Sequence, residues 1–142
     1  MGKKRIVTTG GAEGADAKPK AVSSSKKHVE SGILFVQSTY NNTKLMLADK
    51  GGNALMWGSS GAAGFRGAKK GTPFAAAKVG ETLAAKAQLM GVKEIDVVVS
   101  GVGSGRESAI RGFISKGIAI GSIKDATPIP FNGPKPKKPR RV

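Results

Sequence analysis

The last seventeen residues, Ala126 to Val142, constrain the fold most, because they contain five of the seven prolines in the chain. Proline fixes φ and lacks an amide hydrogen, so this stretch can neither continue a helix nor lie inside a sheet. It also carries five Lys or Arg and no Asp or Glu. An extended cationic segment suits a polyanion, although a solvated, disordered tail has the same composition. Both roles stay open for this segment taken alone.

The rest of the chain is also basic, with 24 Lys and Arg against 9 Asp and Glu and a formal net charge of +15. Nucleic acid is the commonest partner for such a surface. An anionic membrane is the second candidate, but no apolar run approaches the roughly 20 residues that span a bilayer. The chain has no cysteine and one histidine, His28, which excludes disulfides and a cysteine-rich zinc site. We therefore expect a nucleic-acid partner, no membrane, no metal and no cofactor.

The hydrophobic pattern divides the chain into three regions. Residues 1–28 have no hydrophobic period and mix Gly, Ala, Ser and Lys, which is typical of a flexible basic arm. Residues 29–125 are patterned like one packed domain, and 142 residues is the size of a single ordinary domain. Residues 126–142 form the proline-rich basic tail.

Three strands are predicted at the start of the domain, over residues 32–39, 44–49 and 54–57. The turns between them are short, so the strands form an antiparallel meander. The first strand is apolar on both faces for four residues, which favours a central position in the sheet. The glycine-rich residues 58–71 follow, and we expect no regular structure there.

Two helices and two further strands complete the domain. Thr72 and Pro73 start a helix that stops at Gly91, and a buried strand covers residues 93–100. Ser104 and Glu107 match a capping box that opens a second helix, and residues 118–123 form the fifth strand. The predicted fold class is α/β: a single domain with a five-stranded mixed sheet in the order β-β-β-α-β-α-β, flanked by helices and carrying basic extensions.

The segment Gly101-Val102-Gly103-Ser104-Gly105-Arg106-Glu107 lies between a strand and a helix start, where backbone amides favour anions. It departs from the dinucleotide-binding fingerprint because arginine stands at the last glycine position and the motif follows the fourth strand. Tight turning and helix capping explain its glycines without any ligand. Contact of the amides and Arg106 with RNA phosphate is the functional alternative.

A metal-dependent nuclease is the rival from another class, because the strand order resembles that of ribonuclease H-type folds. Two-metal phosphodiester chemistry needs several converging carboxylates. The first strand carries none, Asp49 lies near a turn, and Asp96 shares its strand with Glu94 alone. We therefore expect no active site.

Five motifs resemble bacterial small-subunit ribosomal protein eleven, and the resemblance extends over about residues 28–142. They are Ser38–Thr43, Gly64–Gly67, Thr72–Ala76, Gly103–Glu107 and Ser122–Pro130, and the Arg-Arg-Val ending also matches. The family pattern commonly has proline at Val102, histidine at Phe131 and Cys-Arg at Pro134-Lys135.

The resemblance implies a non-catalytic component of the small ribosomal subunit with a ribonuclease H-like topology. It implies two RNA partners. One is small-subunit ribosomal RNA at the platform, and the other is messenger RNA near the Shine-Dalgarno helix. The implied protein neighbours are small-subunit proteins seven, eighteen and, in many bacteria, twenty-one. The implied location is the cytoplasmic ribosome rather than an organellar one. A free-standing RNA chaperone and the nuclease are the alternatives.

The candidate RNA-binding residues are polar, cationic, aromatic or glycine residues in the turns and the tail. Asn41 and Asn42 serve turn geometry equally well, and Phe65 suits either base stacking or anchoring of its own loop. The full set is Asn41, Asn42, Phe65, Arg66, Lys69, Lys70, Gly103, Gly105, Arg106, Lys135, Lys137, Lys138, Arg140 and Arg141.

Overall fold

The computed structural model describes residues 28–142, so the predicted N-terminal arm lies outside the described residues except for His28. Within that part, five strands and two α-helices follow one another in the predicted order, and a short 3₁₀ helix precedes the first α-helix. The elements are β1 (Ser31–Ser38), β2 (Thr43–Asp49), β3 (Ala54–Ser59), the 3₁₀ helix (Gly67–Gly71), α1 (Pro73–Leu89), β4 (Glu94–Ser100), α2 (Gly105–Ile114) and β5 (Ala119–Asp125).

The five strands form one mixed sheet in the order β3-β2-β1-β4-β5. β2 is antiparallel to both β1 and β3, whereas β4 is parallel to both β1 and β5. The strands β1, β3, β4 and β5 therefore all run in one direction and finish at the same end of the sheet. This arrangement confirms the prediction of a single α/β domain with a five-stranded mixed sheet.

The core lies on one face of the sheet only. Alternate residues of β1, such as Leu34 and Val36, are buried against the helices, in one cluster with Leu83 of α1 and Phe113 of α2. The intervening residues of β1, such as Phe35, stay partly exposed. The prediction that β1 is central is confirmed, but the helices do not cover both of its faces. The apolar run in β1 reflects one face in the core and one open face.

Local signals set the bounds of α1. The Thr72 Oγ1 accepts a hydrogen bond from the amide of Ala75 at 3.4 Å, and proline occupies the first turn. Gly91 follows the helix end with φ of 85°, a conformation that favours glycine. The predicted start and stop of this helix are thus confirmed.

Two glycines allow α1 and α2 to pack backbone against backbone. A Cβ on Gly80 of α1 would collide with the carbonyl oxygen of Ala109, and a Cβ on Gly112 of α2 would collide with the backbone of Ala77. This close packing fixes the position of α2 on α1, and therefore the position of the turn that precedes α2.

Candidate nucleic-acid interface

Four connecting segments emerge from the carboxyl end of the sheet, which we define as the end where β1, β3, β4 and β5 finish. All predicted site residues lie in these segments, apart from Gly105 and Arg106, which lie in the first turn of α2. The fold therefore brings together motifs that are up to 100 residues apart in the sequence. The four segments are residues 39–42, 60–72, 101–104 and 126–142.

Direct contacts hold three of these segments against one another. The hydroxyl of Ser104 donates a hydrogen bond to the carbonyl oxygen of Gly71 at 2.9 Å. The amide of Gly103 donates to the carbonyl oxygen of Ser38 at 3.0 Å. A Cβ on Gly71 would collide with the carbonyl oxygen of Tyr40. The carboxyl end of the sheet is thus a packed surface rather than a set of independent loops.

The turn between β1 and β2 presents Asn41 outward and uses Asn42 structurally. The Asn42 amide donates to Thr39 Oγ1 at 3.1 Å, and the Thr39 amide donates to the Asn42 carbonyl oxygen at 2.9 Å. Asn41 is exposed, whereas the side-chain oxygen Oδ1 of Asn42 is buried without a hydrogen-bond partner among the described residues. RNA contact by both asparagines remains a prediction, and the hydrogen bonds that Asn42 contributes to the turn come from its main chain.

Residues 58–71 are more ordered than the sequence predicts. β3 continues to Ser59, and the 3₁₀ helix covers Gly67–Gly71, so the expectation of no regular structure is wrong. The half-buried ring of Phe65 packs edge to face on Phe74, with the ring centroids 6.0 Å apart. Phe65 thus anchors its own loop, and base stacking by it remains untested.

The cations of this segment face solvent. Arg66 and Lys69 are exposed and Lys70 is half-buried, and none of the three forms an ion pair within residues 28–142. Their positive charge is therefore not neutralised by the protein's own carboxylates there.

The glycines of the turn before α2 are required by close packing. A Cβ on Gly103 would collide with Ser38 Oγ and the Thr39 carbonyl oxygen, and a Cβ on Gly105 would collide with Thr43 Oγ1. The amide of Gly103 is also engaged, by Ser38. These contacts explain the glycines structurally, while phosphate contact at this turn remains a prediction.

Ser104 does not cap α2 in the predicted way. Its φ of −66° and ψ of −16° are helical, and its side chain makes no capping hydrogen bond, because that bond requires an extended residue. The hydroxyl is instead turned toward Gly71, and the carboxylate of Glu107 accepts a hydrogen bond from Arg111 at 3.2 Å. The predicted capping box is wrong because a long-range partner takes the hydroxyl.

Arg106 connects the turn to the root of the tail. Its Nη1 donates to the carbonyl oxygen of Gly101 at 2.6 Å, and its Nη2 lies 2.8 Å from Asp125 Oδ2. Both the amide and the hydroxyl of Thr127 donate to Asp125 Oδ1, at 2.9 and 2.6 Å. The Thr127 hydroxyl, and after it the Arg106 guanidinium, hold the pKa of Asp125 well below its usual range.

Asp125 and Thr127 were missed as organising residues. The local signal was Asp-Ala-Thr, since an aspartate often accepts hydrogen bonds from the residue two positions later.

Because Arg106 is already paired, a phosphate at this position would share it with Asp125. We therefore expect Arg106→Glu to weaken both RNA binding and folding stability, rather than RNA binding alone.

The tail leaves the domain at Thr127. The Ala126 amide donates to the Val99 carbonyl oxygen at 2.8 Å, and Thr127 Oγ1 accepts from the Gly101 amide at 3.2 Å. Beyond that point Ile129 and Phe131 are 76% and 97% exposed, so these apolar side chains do not hold the tail against the domain. All five tail cations are exposed.

The described part of the chain offers no cluster suited to metal-dependent catalysis. Within residues 28–142, no three His, Asp or Glu side chains are placed to hold a metal ion. Asp96 accepts a hydrogen bond from Ser122 Oγ at 2.6 Å. In the same part of the chain, no helix combines the length and apolar character needed to cross a membrane.

A comparison with protein families shows what the chain is similar to. The family model described as Ribosomal protein S11 matches residues 32–141, which is more than half of the chain. The matched range begins in β1 and includes every predicted site residue, from Asn41 to Arg141.

Proposed function

The chain belongs to the ribosomal protein S11 family, and from this premise we propose which of its surfaces binds RNA. A protein of this family is a structural component of the small ribosomal subunit and takes part in translation as a ribonucleoprotein. It binds small-subunit ribosomal RNA and other ribosomal proteins. We propose that the RNA interface is the carboxyl end of the sheet together with the tail.

The convergence of the four segments is the observation that supports this proposal most strongly. Arg66, Lys69 and Lys70 lie on one of them, and the five tail cations continue from the root at Thr127. Hydrogen bonds fix the turns against each other, so the backbone that carries Arg66, Lys69 and Lys70 loses little conformational entropy on binding. The prolines keep the tail extended, which lets its cations reach successive phosphates.

The mechanism is charge neutralisation combined with shape fitting. Each Lys or Arg that approaches a phosphate releases condensed counterions, so affinity falls steeply as salt rises. Phosphate contacts of this kind position the protein on RNA without reading sequence. The exposed Asn41 is the candidate for a ribose or base contact.

The finer placement follows the family resemblance. We propose a ribonuclease H-like topology without catalysis, a position on the platform near the messenger exit and the Shine-Dalgarno helix, and contacts with small-subunit proteins seven, eighteen and, where present, twenty-one. The strand order β3-β2-β1-β4-β5 supports that topology. Sedimentation of a cell lysate tests the association with the small subunit: the protein should travel with small subunits, whereas a free RNA chaperone would remain in the soluble fractions.

Two charge-matched triple variants test the interface. Arg66→Gln, Lys69→Gln and Lys70→Gln remove three cations from the carboxyl end of the sheet. The control removes three exposed cations, Lys50, Lys93 and Lys116, which lie in connections at the opposite end. Binding to a small-subunit ribosomal RNA fragment is measured by filter retention between about 50 and 200 mM salt, the range over which phosphate contacts change affinity strongly.

The first variant should bind the fragment more weakly and with a shallower salt dependence than the control. If net charge alone were responsible, the two variants would be equally weakened, because both lose three positive charges. Equal weakening would contradict the proposed interface while leaving RNA binding itself intact.

A further inference from the structure

The open face of the sheet carries an apolar stripe across four neighbouring strands. The register places Met46 opposite Trp57 and places Phe35 between Met46 and Val98. Trp57 is 68% and Met46 is 38% exposed, and Phe35 and Val98 are partly exposed. Scattered apolar side chains are ordinary on a surface, but a contiguous row with an exposed tryptophan marks a binding surface.

Polar and cationic side chains adjoin this stripe on the side of the carboxyl end. A cavity of about 280 Å³ is lined by Phe35, Met46 and Trp57 together with Gln37 and Lys44. A second cavity, of about 240 Å³, shares Gln37 and Lys44 and adds Thr39 and Asn42. The two cavities are therefore neighbours between Trp57 and the turn that joins β1 to β2, and we refer to the pair as the groove.

The charge of this groove favours a polyanion. No Asp or Glu lines either cavity, and Lys44 forms no ion pair within the described residues. Lys124 continues the stripe beyond Val98, its partner in the register. An apolar stripe alone would equally suit another protein, but unpaired cations and side-chain amides beside aromatic rings are the combination that binds unpaired nucleotides.

We propose that the open face of the sheet binds single-stranded RNA, with Trp57 and Phe35 stacking on bases and Lys44 contacting phosphate. Neighbouring strands are about 4.8 Å apart, so the two aromatic residues, two strands apart, are separated by roughly 10 Å and can each receive a base. The amide of Gln37 lies beside them in the groove. This proposal rests on the proposed function and extends its interface from the carboxyl end onto the open face.

The chain has one tryptophan, so its fluorescence comes from Trp57 alone. The full-length protein is titrated with a fluorescently labelled, unstructured ten-nucleotide RNA. Label anisotropy measures binding, and Trp57 emission measures stacking. We expect saturable quenching of Trp57 that follows the anisotropy. Trp57→Ala should weaken binding about ten-fold, within the range seen when a base-stacking aromatic residue is removed.

Leu89→Ala provides the control, because Leu89 is also an exposed apolar residue, at 85%, but lies at the end of α1 on the other layer. It should leave the affinity unchanged. Lys44→Gln should lower the affinity. It should also reduce the slope of log affinity against log salt by about one unit, as expected for the loss of one phosphate contact. Circular dichroism of each variant verifies that the fold is retained.

The possible failures are distinguishable. In one outcome both the ribosomal RNA fragment and the ten-nucleotide RNA bind, but RNA does not change the emission of Trp57, and Trp57→Ala binds as tightly as the unchanged protein. This proposal is then overturned and the proposed function stands. Under that outcome, another protein rather than RNA is the partner of the open face. If neither RNA binds, both proposals are overturned.

Discussion

At the scale of single residues, Asp125 links the end of β5 to Arg106 and to the root of the tail. Its carboxylate accepts hydrogen bonds from Thr127 and Arg106, and its pKa is lowered by them. A lowered folded-state pKa means that the stabilising effect is complete above the usual pKa of aspartate, about 3.8, and is lost as pH falls toward the folded-state value.

We therefore predict that Asp125→Asn lowers the melting temperature by a constant amount above pH 5 and by a smaller amount below pH 3. The side chains are partly exposed, so solvent screening keeps the effect modest. Thermal unfolding of both proteins from pH 2 to 7 measures the difference. A difference that is as large at pH 2 as at pH 6 would exclude the carboxylate as its cause.

At the scale of secondary-structure elements, the contact between α1 and α2 depends on glycines. Gly80→Ala would place a methyl group against the carbonyl oxygen of Ala109, and backbone has little freedom to move away. We expect a loss of about 1–3 kcal/mol in the free energy of unfolding, the usual cost of overpacking. Gly61→Ala is the control, because its Cβ would meet Lys70 at an ordinary 3.6 Å. Urea titrations of both variants measure the loss, and equal stability would contradict close helix packing.

The elements themselves were largely predictable because their signals are local. Thr72, Pro73 and Gly91 define α1 through nearby hydrogen bonds and allowed φ values. The Ser104 prediction failed because its hydroxyl bonds to Gly71, 33 residues away, and no local pattern encodes such a partner. The open face was missed for a related reason: a short apolar run in β1 is consistent with burial on both faces or on one.

The candidate site was predictable as a set of segments but not as a surface. Glycine, asparagine and cation patterns identified each segment, whereas their meeting at one end depends on four strands running in the same direction. The roles of Asp125 and Thr127 depend on Arg106, from another element. Sequence reasoning names such residues only after the topology is known.

At the scale of the whole molecule, folding and RNA binding use different parts of the tail. Thr127 forms the last hydrogen bonds to the domain, and residues 135–142 are exposed. Deleting residues 135–142 should therefore leave the melting temperature almost unchanged. The same deletion should weaken RNA binding and reduce its salt slope by about one unit for each lost phosphate contact. Replacing the five cations by glutamine should reproduce the defect, since charge rather than length acts. Full affinity in the deletion variant would identify the tail as a solvated appendage.

Lysine footprinting tests the location of the RNA interface most directly. The full-length protein is acetylated briefly with and without the small-subunit ribosomal RNA fragment, and mass spectrometry measures the modification of each lysine. Lys69, Lys70, Lys135, Lys137 and Lys138 should be protected by RNA, whereas Lys50, Lys93 and Lys116 at the opposite end should remain reactive. Protection of the opposite end, with the carboxyl end and the tail unprotected, would contradict the proposed interface.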